Sequence, residues 1–202
     1  MRLHCQPEQM RSSAQGRAFT LTEMMVAMAA STIIFGAVAT FFMFGNQSFV
    51  AIGNYMDLNR RSCAALDRIT RDIRQSVALT VYSTNMIVLR TAGTNAVGNQ
   101  VTNFVMFVWN PVDRQVSRVR FGPGVAFTVE TLLTECDYLR FEIYQRNPIP
   151  GQFGFYPATN PPGVYRPDLC KLVDVSWRCS RTIKGTKLQT ESVQTAKICM
   201  RN

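Results

Sequence analysis

Residues 24 to 44 of the chain, MMVAMAASTIIFGAVATFFMF, contain neither a charge nor a proline. At 1.5 Å per residue a helix of that length runs roughly 30 Å, enough to cross the hydrocarbon core of one bilayer, so a membrane-spanning helix is expected. Glu23 stands directly before the apolar run and four residues after Phe19. A carboxylate at the end of a membrane helix is costly unless it is hydrated, neutralised or paired, and its position therefore calls for a partner.

Ahead of this run lies a short leader with Arg2, Arg11 and Arg17, then Ala18 and the sequence FTLTE from Phe19 to Glu23. Basic leader, small residue, FTLTE and uninterrupted apolar run together resemble the class III signal of type IV prepilins and type II secretion pseudopilins. The resemblance implies that a prepilin peptidase cuts between Ala18 and Phe19, that Phe19 becomes an N-methylated N-terminus, and that Glu23 is the assembly acid of the mature chain. The family has Gly before the cut; Ala18 keeps a small side chain there and implies slower cleavage. Cutting after Gly16 would start the chain at Arg17 and move Glu23 out of register. Two alternatives stay open: an unprocessed signal anchor, and an ordinary secretory signal over residues 1–39, since Ala37, Val38 and Ala39 form an A-x-A site.

The chain has 202 residues and a formal charge of +9, of which the leader holds three arginines against Glu8, leaving seven net positive charges on the remainder. That remainder has room for one small globular domain beyond the anchor. Its charge is scattered and favours lipid headgroups, acidic partners or solubility alike. Three arginines precede the apolar segment and the next basic residues are Arg60 and Arg61, which predicts a cytoplasmic N-terminus and an exported domain: a single-pass inner-membrane protein with its bulk in the periplasm. Cys5 belongs to the leader, so Cys63, Cys136, Cys170, Cys179 and Cys199 enter an oxidising compartment, an odd number that leaves at least one without an intrachain partner.

Past Phe44 the helical period continues through Phe49, Ile52, Met56, Cys63, Leu66, Ile69, Ile73 and Val77, with Asp57, Arg60, Arg61, Asp67, Arg68, Arg71, Asp72 and Arg74 expected on the wet face. Asp57 with Arg61, Asp67 with Arg71, and Asp72 with Arg68 are spaced for surface pairs. One helix from Phe19 to Val77, close to 90 Å if unbroken, is expected, with Gly45-Asn46 its loosest point. Residues 60–79, RRSCAALDRITRDIRQSVAL, resemble the second half of the long helix in J-type minor pseudopilins and W-type minor pilins. The organisation is thus a leader (1–18), a transmembrane and assembly helix (19–45), its amphipathic continuation (46–77) and a β-rich periplasmic domain (78–202). The fold class is α+β, pilin-like, a long N-terminal helix packed against an antiparallel sheet.

Strands are expected over 78–82, 86–90, 101–109, 116–121, 139–144, 172–183 and 192–200, each rich in β-branched or aromatic residues between turn signals. Residues 128–138 fit a strand or a short helix. The stretch 147–169 holds six of the nine prolines, a density that predicts a long loop without regular structure, pinned by Phe153, Phe155, Tyr156 and Tyr165 or presenting them as a surface. Val173, Val175, Trp177 and Cys179 share one strand face, and a hairpin through the 183–187 turn makes Cys179 and Cys199 a candidate disulfide pair.

The only histidine, His4, is in the leader. No histidine triad, zinc set, calcium loop or phosphate-binding glycine motif is present, so no catalytic residue, metal or cofactor is expected. Two functions remain. One is a minor pilin-like structural subunit that initiates or caps a type II secretion pseudopilus or type IV pilus; its partners would be other minor and major pilin-like subunits, the prepilin peptidase, the inner-membrane assembly platform and membrane lipid. The other is a membrane-anchored exported module that recognises DNA or another ligand through a basic face, for which residues 166–202 carry eight Lys or Arg against three acids. Those charges lack the interleaved aromatics of a stacking platform, and a merely anchored binder has no need of Glu23.

Overall fold

The computed structural model describes residues 19–95, 97–147, 149–159, 163–183 and 189–201. A single helix, α1, spans Leu21–Gln75 and remains helical through Gly45-Asn46. It ends where Ser76 folds back, its hydroxyl donating to Ile73 O at 2.6 Å, and where β-branched sequence takes over. The chain divides into two compact units between Asn46 and Gln47. Each takes a part of α1.

The second unit, from Gln47 onward, packs the C-terminal part of α1 against two antiparallel sheets. The first is a five-stranded meander in sequence order: β1 (Ala78–Ser83), β2 (Met86–Thr94), β3 (Gln100–Asn110), β4 (Gln115–Phe121) and β5 (Thr128–Leu133). The second contains β6 (Cys136–Arg146), β7 (Phe155–Pro157), β8 (Leu172–Thr182) and β9 (Gln189–Cys199), in the order β7-β6-β8-β9. A single sheet was the expectation. Residues 128–138 instead hold the end of one sheet and the start of the next, separated by Thr134 and Glu135, with Glu135 at a φ of 60°. That left-handed residue turns the chain sharply enough to leave the first sheet.

The proline-rich stretch also differs from expectation. It forms the short edge strand β7, with Pro157 at its end, and a 3-10 turn at Pro167–Leu169, because proline is tolerated at a sheet edge and at the first positions of a helical turn. Tyr165 packs on Tyr82 of β1 with ring centroids 4.7 Å apart, and the Arg146 guanidinium lies 5.7 Å from the Phe153 ring centroid. Phe153 itself stays exposed.

One core joins the second unit's three layers: Leu58, Ala65, Ile69 and Ile73 from α1, Ile87, Leu89 and Phe107 from the first sheet, and Phe141, Val175 and Trp177 from the second. The buried seam of α1 is Leu58, Ser62, Ala65, Ile69, Asp72 and Ile73. The expected stripe was therefore right at Ile69 and Ile73 and wrong at Phe49, Ile52, Met56, Cys63 and Val77, all of which are exposed. This part of α1 is apolar on more than one side, so periodicity alone does not select the face that meets the sheets. Small Ser62 does what a larger apolar residue could not. It lets Trp177 approach, whose indole N–H donates to the Ser62 hydroxyl at 3.4 Å.

The β8–β9 hairpin and its facing are as expected: Val173, Val175, Trp177 and Cys179 point into the core, opposite Ile198, Ala196, Gln194 and Ser192. The 184–187 part of its turn lies outside the described residues. The candidate Cys179–Cys199 pair is corrected by the register. Cys179 opposes Ser192, and Cys199 opposes Leu172, seven positions along β8, a separation of about 23 Å at the usual rise of a strand. Cys199 also lies on the outer face, exposed, while Cys179 is buried.

Candidate functional site

The first turn of α1 is built by four residues of the FTLTE segment. Thr20 precedes the helix, and its hydroxyl accepts from the Glu23 backbone N–H at 3.3 Å. The Glu23 carboxylate reaches back and accepts from both the Thr20 backbone N–H and the Thr20 hydroxyl, each at 2.9 Å. This reciprocal pattern is a capping box, in which an N-cap Thr and a Glu three residues later satisfy donors that the first turn leaves without helical partners. Sequence reasoning singled out Glu23 and missed Thr20. The signal was present as T-x-x-E directly before an apolar run, the usual sequence mark of such a cap. Glu23 thus has, within its own chain, a partner of the kind that its position called for. Its carboxylate also sits at the positive end of the helix dipole, a second reason for an acid at this position.

Phe19 is exposed next to this cap, and Ala18 lies outside the described residues. From Leu21 to Phe44 nearly every side chain is exposed, including Ile33, Ile34, Phe35, Phe41 and Phe42. The helix is long and apolar enough to cross a membrane, and none of its most apolar stretch is buried within the chain. The few hydroxyls are internally satisfied. Ser31 donates to Ala27 O at 2.7 Å, Thr32 to Ala29 O at 2.8 Å and Thr40 to Gly36 O at 2.8 Å. Turning these groups onto the helix's own carbonyls leaves the outer surface of the segment apolar, as an environment without water requires.

In the second unit the early turns of α1 remain apolar on their open side, with Phe49, Val50, Ile52, Tyr55 and Met56 at least half exposed. Further along, the polar residues are engaged. Asp57 pairs with Arg61 at 3.1 Å, as its spacing predicted, and also with Arg181 at 3.1 Å. Asp72 departs from its expected place on the wet face: it is buried, and Arg118 of β4 meets it with two hydrogen bonds of 2.6 and 3.1 Å. Arg118 also binds Glu130 at 3.2 Å, and Glu130 takes Arg68 at 3.4 Å in place of an Arg68–Asp72 pair. The Arg118 pKa is raised; burial opposes this rise, but the Asp72 and Glu130 carboxylates outweigh it.

The basic C-terminal region is partly neutralised in the same way. Arg166 is held by Asp168, Arg181 by Glu135 and Asp57, and Lys197 lies 4.0 Å from Asp174. Lys184 and Lys187 lie outside the described residues. Among the described residues, no group of three or more His, Cys, Asp and Glu side chains is arranged to hold a metal ion.

Residues 15–39 match the family described as the prokaryotic N-terminal methylation motif. The match contains Ala18, Phe19, Thr20 and Glu23 together with residues 24–39 of the apolar run. No curated protein matches the chain significantly. Methylation motif, exposed apolar helix and a domain in which that helix's C-terminal part packs on antiparallel sheets are consistent with the pilin and pseudopilin superfamily, and with a membrane-anchored structural subunit.

Proposed function

We propose that the chain is a minor pilin-like structural subunit that initiates or caps a type II secretion pseudopilus or type IV pilus, and that it is a structural component rather than an enzyme. The observation that carries this is the methylation motif over residues 15–39, placed so that its acid caps a helix whose most apolar stretch is not buried within the chain. In this proposal a prepilin peptidase cuts between Ala18 and Phe19, Phe19 is N-methylated, and residues 19–45 anchor the subunit in the inner membrane with residues 78–202 in the periplasm. Other pilin-like subunits then cover the exposed apolar helix. The Phe19 amine enters an apolar bundle at assembly, where an unpaired charge is costly, and Glu23 of a neighbouring subunit neutralises it. Apolar helices in lipid gain little direction from burial, so this charge pair selects axial register.

Intact mass and N-terminal sequencing of membrane-extracted protein test the processing step, with a methylated chain beginning at Phe19 expected. A chain beginning at Thr40 would replace the proposal with a soluble exported domain. Two substitutions separate the assembly role of Glu23 from its capping role. Glu23→Gln keeps a capping side chain but removes the charge, whereas Thr20→Ala removes the cap and keeps the charge. Membrane insertion and processing are expected for both, with helix-to-helix crosslinking between subunits reduced in Glu23→Gln and retained in Thr20→Ala. Equal crosslinking by wild type and Glu23→Gln would take the charge out of assembly.

A further inference from the structure

Cys136 begins β6 and stands directly across from Cys179 of β8. A bulge makes this pairing. From Tyr144↔Leu172 down to Tyr138↔Arg178 the register is regular, and its continuation would place Asp137 opposite Cys179; the chain instead slips by one residue and brings Cys136 there. The bulged Asp137 is held by the Arg114 guanidinium and the Ser180 hydroxyl, and the preceding Glu135 by Arg181 at 2.6 Å. Both cysteines are turned into the core, Cys136 at 0% and Cys179 at 1% exposure, and the Cys136 thiol donates to Tyr138 O at 3.3 Å.

We propose that Cys136 and Cys179 close to a structural disulfide in the exported protein, which rests on the proposed export of this domain. Directly opposed residues of an antiparallel pair have Cα atoms about 4.5–5.5 Å apart, inside the roughly 4.4–6.8 Å span that a disulfide accepts. The other cysteines do not compete. Cys63 and Cys199 are exposed on other faces, and Cys170 precedes β8, with its thiol directed to Leu172 O at 3.5 Å.

The oxidant is a disulfide donor, of the thiol–disulfide exchange class. The thiolate of one of the two cysteines attacks one sulfur of the donor and releases the first donor thiolate, forming a mixed disulfide. The other cysteine, losing its proton, attacks the sulfur of the first and releases the second donor thiolate. One disulfide forms and one breaks; two cysteine thiols are oxidised, the donor is reduced to two thiols, and the two protons pass to them. Burial of both sulfurs places this step during folding, before the core closes. The finished bridge ties β6 to β8 across the proline-rich stretch, a long loop whose closure restricts the unfolded chain.

The test uses the full wild-type chain. Cells are acid-quenched, thiols are alkylated, and the detergent-extracted protein is peptide-mapped without reductant. A Cys136–Cys179 peptide is expected, with a melting temperature that falls by roughly 10 °C on reduction. If both cysteines are alkylated in cells but link when the reduced, denatured chain is returned to detergent with oxidised glutathione, the pair stands and the export proposal falls. Alkylation of both under each condition, or linkage of either to a different cysteine, overturns the pair. An unchanged melting temperature on reduction of a confirmed bridge overturns its structural role. N-terminal mass from the same sample reports processing at Phe19 separately.

Discussion

Glu23 and Asp72 sit in the first and last turns of one helix, and their carboxylates are satisfied in opposite ways. Glu23 is exposed and bonds Thr20, three residues away; Asp72 is buried and bonds Arg118, 46 residues away. The contrast extends to their regions. Around Glu23 the helix meets its polar needs with its own chain and leaves an apolar surface uncovered, while around Asp72 the same helix exchanges solvent for partners on the sheets. An acid next to apolar residues therefore carries two meanings. Near a helix start it is a cap that the next turn supports; in a buried seam it is a commitment to a distant cation.

The largest effect is expected at the buried pair. Asp72→Ala leaves the Arg118 charge in the core with only Glu130 beside it and is expected to lower stability by about 3–5 kcal/mol in urea unfolding of the detergent-extracted chain. Asp72→Leu combined with Arg118→Met should recover most of that loss, since neither charge then remains to be desolvated. A loss for Asp72→Ala below about 1 kcal/mol would erase the distinction between the two acids.

Two isoleucines on α1 extend the comparison to apolar side chains. Ile69→Ala is expected to cost about 2–5 kcal/mol because the side chain is 0% exposed and the vacated space cannot fully collapse. Ile34→Ala, at a position 62% exposed, should leave the unfolding midpoint of the second unit within about 0.5 kcal/mol of wild type. Comparable losses at both positions, read from the same urea transition, would mean that residues 21–46 contribute to the domain's stability.

A smaller and local effect belongs to the cap. Thr20→Ala should loosen the first turn by about 1 kcal/mol, seen as roughly fivefold faster hydrogen exchange at the Glu23 and Met24 amides, which bond Thr20, with no change in global unfolding. Protected amides in that variant would show that Glu23 holds the turn without Thr20.

The smallest effect is spectroscopic. Burial, together with nearby Tyr165, raises the Tyr82 phenol to about 12, and its hydroxyl donates to Phe141 O at 2.9 Å. A folded pKa above the unfolded value of about 10 means that this contribution to stability is fully present below pH ~10 and is lost as pH rises through the folded value. Tyr144 is also raised to about 12, by its hydrogen bond to Glu142 and by burial. Tyr82→Phe should remove one of two late steps in the 295 nm absorbance titration; an unchanged late amplitude would deny that Tyr82 titrates there.

Much of this molecule is local chemistry and can be read without the fold. The apolar run, the FTLTE segment and the T-x-x-E cap lie within a few turns of one helix, and the strands at 86–90, 101–109 and 116–121 announce themselves by composition and turn spacing. The facing of β8 and β9 also follows from alternation, because a strand's period leaves only two choices. Tertiary structure decided the rest. Which side of α1 is buried depended on where two sheets meet it, so Ser62 and Asp72 went inward while Phe49 and Met56 stayed out. The division into two sheets turned on Glu135, and the partner of Cys179 on a slip at Asp137. A one-residue slip changes which side chains meet across a strand pair, yet it leaves almost no mark on composition or periodicity, because its cause is the fit between residues far apart in the chain.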